Sequence, residues 1–289
     1  MKKKTTWYVI NIKSRVEQTP LRYVQAFEHI NQEDPLILIR GNRYIGIRHF
    51  SKSNYLEEDG TYPRSLLLKL TTYDIVNPDA FYNTRSRENI SMQWDPDVAI
   101  NEKDVDLIFI PCVHRLVFRK NSPISLTAVL KFLRESLDRV EGEELFDVDV
   151  VKSHDMIQKI LTSHEIYSIN ADISFSNADR SSNFIKWFDD KLRNSNVQRT
   201  VVSLRGSKEH PLVVEEDGLL EAVVKISESN GTVKAHVKQT KDSKVETIDT
   251  KHYPMVLAIS ADDHEDINKY LYNELKTKYG SLNNNDDGK

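Results

Sequence analysis

Val105-Asp-Leu-Ile-Phe-Ile-Pro-Cys-Val-His-Arg-Leu-Val-Phe118 is the most apolar strand-forming stretch of the chain. Its β-branched and aromatic residues favour extended backbone. Pro111 divides it, because proline donates no ladder hydrogen bond and does not sit inside a central strand. The stretch therefore predicts two strands joined by a turn or bulge.

Downstream, Ser125 is placed to cap a helix with Leu126, Val129, Leu130, Leu133 and Leu137 on one face, and a strand follows from Phe146 to Val151. Upstream, Trp7 to Ile12 reads as a strand. Thr19-Pro20 opens a helix carrying Leu21, Val24, Phe27 and Ile30. A hairpin is expected from Pro35–Ile39 through Gly41-Asn42 to Arg43–Arg48, and another strand from Ser65 to Thr72. Between them and the opening stretch runs a long polar segment, Asn77 to Asp104. Phe81, Tyr82, Met92 and Trp94 can anchor it, leaving Arg85, Arg87, Asp95 and Asp97 for solvent or a ligand.

The second half continues in the same style. Helices are expected at Asp155–Thr162, Ser182–Arg193 and Glu265–Tyr279, and strands at Ile166–Phe175, Thr200–Leu204 and Pro254–Ile259. The segments Leu219–Ser227 and Thr232–Lys238 read as strands of a hairpin across Asn230-Gly231. The expected fold is α+β, with mixed or antiparallel sheets, helices packed on one face and two α/β halves. At 289 residues the division falls into an N-terminal domain at 1–152, a C-terminal domain at 153–280 and a polar tail at 281–289.

The charge is uneven. Residues 1–55 hold ten Lys/Arg against four Asp/Glu, a local +6, whereas the other 234 residues carry −10. An acidic majority argues against indiscriminate coating of nucleic acid or membrane, and a basic N-terminal segment still permits a local anion-binding face. A single cysteine, Cys112, forms no internal disulfide, and no apolar run is long enough for a leader or membrane span. A cytoplasmic location is the expectation.

Several chemistries drop out. With nine glycines, none arranged as GxGxxG or GxxxxGK, the chain lacks a phosphate-cradling glycine loop, and one cysteine cannot build a CxxC zinc site. No HExxH or GxSxG occurs. No cofactor or metal is expected.

A nuclease remains open by two routes. Asp147 and Asp149 share one face of an alternating strand close to Lys152, the residue types a metal-dependent nuclease uses, and Glu221 precedes Lys225 in a similar way. The alternative is that the acids line the solvent side of a sheet. His114 lies beside Arg115, Arg119 and Lys120 ahead of a helix N-terminus, where an imidazole could serve RNA cleavage as acid or base. The competing reading is a histidine hydrogen-bonded inside a sheet. The remaining histidines, among them His154, His164 and His264, read as caps or loop residues.

Ile45-Gly-Ile-Arg48, Phe81-Tyr-Asn-Thr84, Asp106-Leu-Ile-Phe-Ile-Pro111, His114-Arg-Leu-Val-Phe118 and the helix from Ser125 to Leu133 together give residues 40–140 a resemblance. They are similar to a family of uncharacterised bacterial proteins, a domain of unknown function often encoded near phage-defence genes. The resemblance implies a role in a defence locus beside a protein partner, with no established catalytic residue. It marks His114 and Arg115 as an exposed polar pair.

The function expected from all this is a non-enzymatic, nucleic-acid-associated or partner-binding component of an anti-phage system. DNA or RNA phosphates would be met by Arg40, Arg43, Arg85, Arg87, Arg115, Arg119 and Lys120. A nuclease and a pure assembly module, including a homo-oligomer, are the alternatives.

Overall fold

The computed structural model describes residues 3–58, 60–174, 197–261 and 267–280, with a few further positions between 187 and 195. The expected helix at Ser182–Arg193 and the polar tail lie outside the described residues, apart from isolated positions of that helix. Among the described residues the chain forms five α-helices and fourteen strands, every named strand pair antiparallel. The α+β class follows directly.

An eight-stranded sheet is built on β1 (Lys3–Ser14), whose twelve residues are long enough to serve three neighbours. One edge of β1 takes β14 (Val256–Ala261) along Lys3–Tyr8 and then β9 (Phe146–Val150) along Ile10–Ser14. Its other edge takes β8 (Arg115–Arg119), followed outward by β7 (Ile100–Ile110), β4 (Leu66–Asp74), β3 (Arg43–Lys52) and β2 (Ile37–Arg40). The apolar stretch at residues 105–118 forms the centre of this sheet. Pro111 opens a 3-10 turn, Pro111–Val113, between β7 and β8.

Period-2 alternation divides the sheet residues between two layers. Ile10, Ile12, Leu68, Leu107, Phe109 and Leu116 bury beneath α1 (Pro20–Glu33) and α2 (Leu126–Glu141). Both helices are capped as the sequence predicts: Thr19 accepts from the Arg22 amide at 3.3 Å and Ser125 from the Ala128 amide at 3.2 Å. Trp7, Val9, Ile108, Ile110 and Val117 face the other way and are covered by Leu271 and Leu275 of α5 (Ile267–Tyr279). The large sheet thus carries helices on both faces.

The four-stranded sheet has the order β11 (Arg199–Arg205), β10 (Glu165–Ser174), β12 (Gly231–Lys238) and β13 (Glu246–Asp249). One face packs on α3 (His154–Leu161) and α4 (Leu219–Asn230). Helix α4 corrects the expected strand at Leu219–Ser227. Its Val and Ile content favours strand, yet Leu220, Val223, Val224 and Ser227 recur at helical spacing and are all buried, so packing overrides propensity. Asn230-Gly231 is accordingly no hairpin turn. It joins α4 to β12, and a Cβ at Gly231 would collide with the carbonyl oxygen of Asp172.

Part of the long polar segment is ordered as a separate hairpin, β5 (Phe81–Asn83) with β6 (Glu88–Ile90). Trp94 anchors it by packing on Phe81 at 6.1 Å and donating to the Val98 carbonyl at 2.7 Å.

Candidate functional site

Asp147 and Asp149 project from one face of β9 into a cleft of about 710 Å³ where the two sheets meet. Neither lies on a solvent-facing side: each is 8% exposed, which corrects that reading. Arg15 grips Asp147 through two bonds, 2.7 and 3.1 Å, and the ammonium of Lys13 stands 3.9 Å away. Lys13 is fully buried and also donates to Ser174 Oγ at 3.0 Å and Asn230 Oδ1 at 3.4 Å. Asp149 lies 3.6 Å from Arg199, whose Nε donates to Asp172 at 2.7 Å. Asn11 completes the network by donating to Ser229 O and Asn230 Oδ1 at 3.2 and 3.0 Å.

These contacts decide what the carboxylates can do. Buried charge is tolerated where it is paired and hydrogen-bonded, and here every acid of the pair already has its cation. Asp147 and Asp149 tie β1, β9 and β11 together. Among the described residues, no three His, Cys, Asp or Glu side chains converge as a metal site requires.

Lys152 is the exception in the cleft. Its ammonium donates to the Val150 carbonyl at 2.9 Å. Burial pushes its pKa down to about 8; Asp149 works against the fall, and the nearby charges of Arg134 and Arg199 work with it. Arg134 itself is held by two bonds to the Val148 carbonyl, 2.6 and 3.1 Å.

His114 and Arg115 are not an exposed pair. His114 takes a left-handed backbone conformation (φ 52°) at the end of the 3-10 turn, and its ring stacks on Tyr23 with centroids 4.7 Å apart. Burial, with the adjacent Arg115 charge adding to it, pushes the imidazole down to about 3. It is therefore neutral at physiological pH and cannot exchange protons with a substrate at the surface. Arg115 is 3% exposed, donates to Asn11 Oδ1 and Val113 O, and stacks its guanidinium on Tyr279 at 4.4 Å. It does not reach a phosphate. Cys112 is likewise inert, its thiol pushed up to about 12 by burial and by Glu57.

The other predicted cations fall in two places. Register sets Arg43 opposite Asp74, and Asp74 opposite Ile100, so the β2–β3 turn, the end of β4 and the start of β7 share one end of the sheet. The β5–β6 hairpin leaves the sheet at that same end. Arg40 and Arg43, paired in register, sit at this pole, and Arg85 and Arg87 lie at the turn of the hairpin connected to it. Arg43 is committed to Thr72 at 3.2 Å and Asn101 O at 3.1 Å. Arg40, Arg85 and Arg87 are exposed, with no acidic partner among the described residues. Arg119 and Lys120 sit apart from this pole, Arg119 lying over the ring of Trp7 at 5.4 Å.

Lys13, Arg15, Arg134 and Arg199 escape sequence reasoning. Only a lysine inside an apolar strand (Lys13) and the alternation Arg199, Val201, Ser203, Arg205 hint at them.

Fold and site define an α+β protein of two main sheets whose inter-sheet cleft is locked by ion pairs and whose open cations include those on the β2–β3 and β5–β6 turns. The chain belongs to the DUF4747 family, a domain of unknown function, which it matches over residues 3–277. No curated protein matches it. Among the described residues, no helix is long and apolar enough to cross a membrane.

Proposed function

We propose that this protein is a non-enzymatic, nucleic-acid-associated component of a bacterial anti-phage system, acting in the cytoplasm beside a protein partner. The observation that carries the nucleic-acid part is that Arg40, at the β2–β3 turn, and Arg85 and Arg87, at the turn of the β5–β6 hairpin, are exposed and without an acidic partner among the described residues. Unneutralised guanidinium groups on an exposed arm are suited to phosphate oxygens. The same arm exposes Tyr82 (55%), Val98 (49%) and Met92 (44%), apolar surface that supports a protein partner. The defence role rests on the sequence resemblance across residues 40–140.

The non-enzymatic part rests on the state of the catalytic candidates, with Asp147 and Asp149 ion-paired and His114 buried and neutral. A metal-dependent nuclease is favoured by one observation, that Asp147, Asp149 and Lys152 line a single cleft. Gel-shift assays with single-stranded and duplex DNA and RNA at low ionic strength, with and without magnesium, separate the two. The expected result is a retarded band of intact nucleic acid. Shortened products lost on Asp149→Asn substitution would replace the binding reading with the nuclease, and absence of any shift would remove the nucleic-acid reading.

A further inference from the structure

The outward face of the four-stranded sheet carries chemistry that neither the cleft nor the hairpin pole uses. Strand pairing sets Arg205 opposite Ser168 and Ser168 opposite His236 in one row, and Ser203 opposite Asn170 and Asn170 opposite Lys234 in the next. From Ser168 to Asp172 on β10 and along β12 the even-numbered residues, and on β11 the odd-numbered ones, point outward, because the intervening Ile169, Ala171, Val233 and Ala235 are fully buried against the helices. These six side chains surround a shallow depression of about 210 Å³.

Its chemistry is that of an anion site. Arg205 and Lys234 are exposed and have no acidic partner among the described residues. Of the nearby carboxylates, Asp172 pairs with Arg199 at 2.7 Å, Glu165 with Lys238 at 3.9 Å, and Asp249, which stands opposite Lys234 in register, accepts from the Lys251 amide at 3.0 Å and lies 3.9 Å from His252. His236 meets the Ser168 hydroxyl at 3.2 Å, so imidazole and hydroxyl are held side by side at the floor. Two cations, two hydroxyls, an amide and an imidazole can all donate to phosphate oxygens.

We propose that this face binds the phosphodiester backbone of single-stranded nucleic acid. The inference deepens the nucleic-acid reading above and rests on it. Charge complementarity selects the ligand class, and the shape of the face selects the single strand. Arg205 and the Lys234/His236 pair lie two strand spacings apart, about 10 Å, on a flat surface that a flexible backbone can follow and a stiff duplex meets only along a line. The rows hold no Phe, Tyr or Trp ring on which a base could stack, and the one imidazole, His236, is held by the Ser168 hydroxyl, so contact falls mainly on phosphates and depends little on sequence.

Fluorescence anisotropy of labelled single-stranded oligonucleotides with wild type and with the doubly substituted Arg205→Glu, Lys234→Glu protein tests it. Both side chains are exposed, and circular dichroism checks that the variant folds. Affinity is expected to fall about tenfold or more, and the slope of log affinity against log salt to shrink by about 1.4, the share of two single-strand phosphates. Wild-type binding that survives the double substitution with unchanged affinity and slope would overturn this inference and leave the nucleic-acid reading standing. Failure of the wild type to bind any oligonucleotide would overturn both.

Discussion

Replacing Lys152 by methionine should make the protein more stable at neutral pH. Lys152 is 5% exposed, and its ammonium is held by one carbonyl, 2.9 Å away, with Arg134 and Arg199 as well as Asp149 and Asp249 nearby. A lysine lowered from 10.5 to about 8 has its charged form disfavoured in the fold by roughly 3 kcal/mol. The sign is fixed by proton counting. Between pH 8 and 10.5 the unfolded chain binds more protons at this site than the folded one, so wild-type stability rises with pH across that window. Below pH 8 the penalty is present in full. Methionine keeps the length and apolar stem, removes the charge and forfeits the bond to Val150, worth about 1 kcal/mol. The net expectation is a gain of roughly 2 kcal/mol at pH 7 that shrinks above pH 8 and turns into a deficit of about 1 kcal/mol beyond pH 10.5, where only the lost bond remains. Urea unfolding of both proteins from pH 6 to 11 reads it out, and the difference curve isolates Lys152 from other titrating groups. A variant less stable than wild type at pH 7, or a difference that does not change with pH, would refute the reasoning.

Two further outcomes follow from the buried titratable groups. His114, ordinarily near 6.5, is held near 3, so the unfolded state takes up its proton first as the pH drops. His114→Asn, which keeps a residue tolerant of the left-handed backbone, should therefore lose less stability than wild type between pH 6.5 and 3, by roughly 1.4 kcal/mol per pH unit, measured by denaturation at stepped pH. Glu57 receives the Tyr272 hydroxyl and, at 2.9 Å, the Lys276 ammonium; burial opposes its ionisation, and these partners outweigh burial and hold it below the usual 4.5. Its contribution is complete above pH 4.5 and lost as the pH falls below, so Glu57→Gln should lower the melting temperature at pH 7 and flatten the acid side of the profile.

The central strands were legible because composition and punctuation agree there: apolar runs make β7 and β8, and Pro111 makes the turn between them. Capping residues placed α1 and α2 for the same local reason. Helix α4 was misread because Val223, Val224 and Ile226 speak for strand, and the burial that overrules them comes from strands distant in sequence. The exposed pair that the resemblance marks at His114 and Arg115 is covered by Tyr23 and Tyr279, which nothing local reveals, while the competing reading of an interior histidine has the burial right. The acid pair was correctly noticed on one strand face. Its partners Arg15 and Arg199 lie 132 and 50 positions away, a distance that no spacing motif spans. Arg40 was legible beside the Gly41-Asn42 turn, which short-range signals set, whereas the hairpin that carries Arg85 and Arg87 was read only as part of a long polar segment.

The most direct measurement is the salt dependence of wild-type binding to labelled nucleic acid, compared with the triple substitution Arg40→Ala, Arg85→Ala, Arg87→Ala. The account predicts binding that weakens steeply between about 50 and 200 mM salt, with a shallower slope in the triple variant. Binding that ignores salt, or a triple variant indistinguishable from wild type, would contradict it.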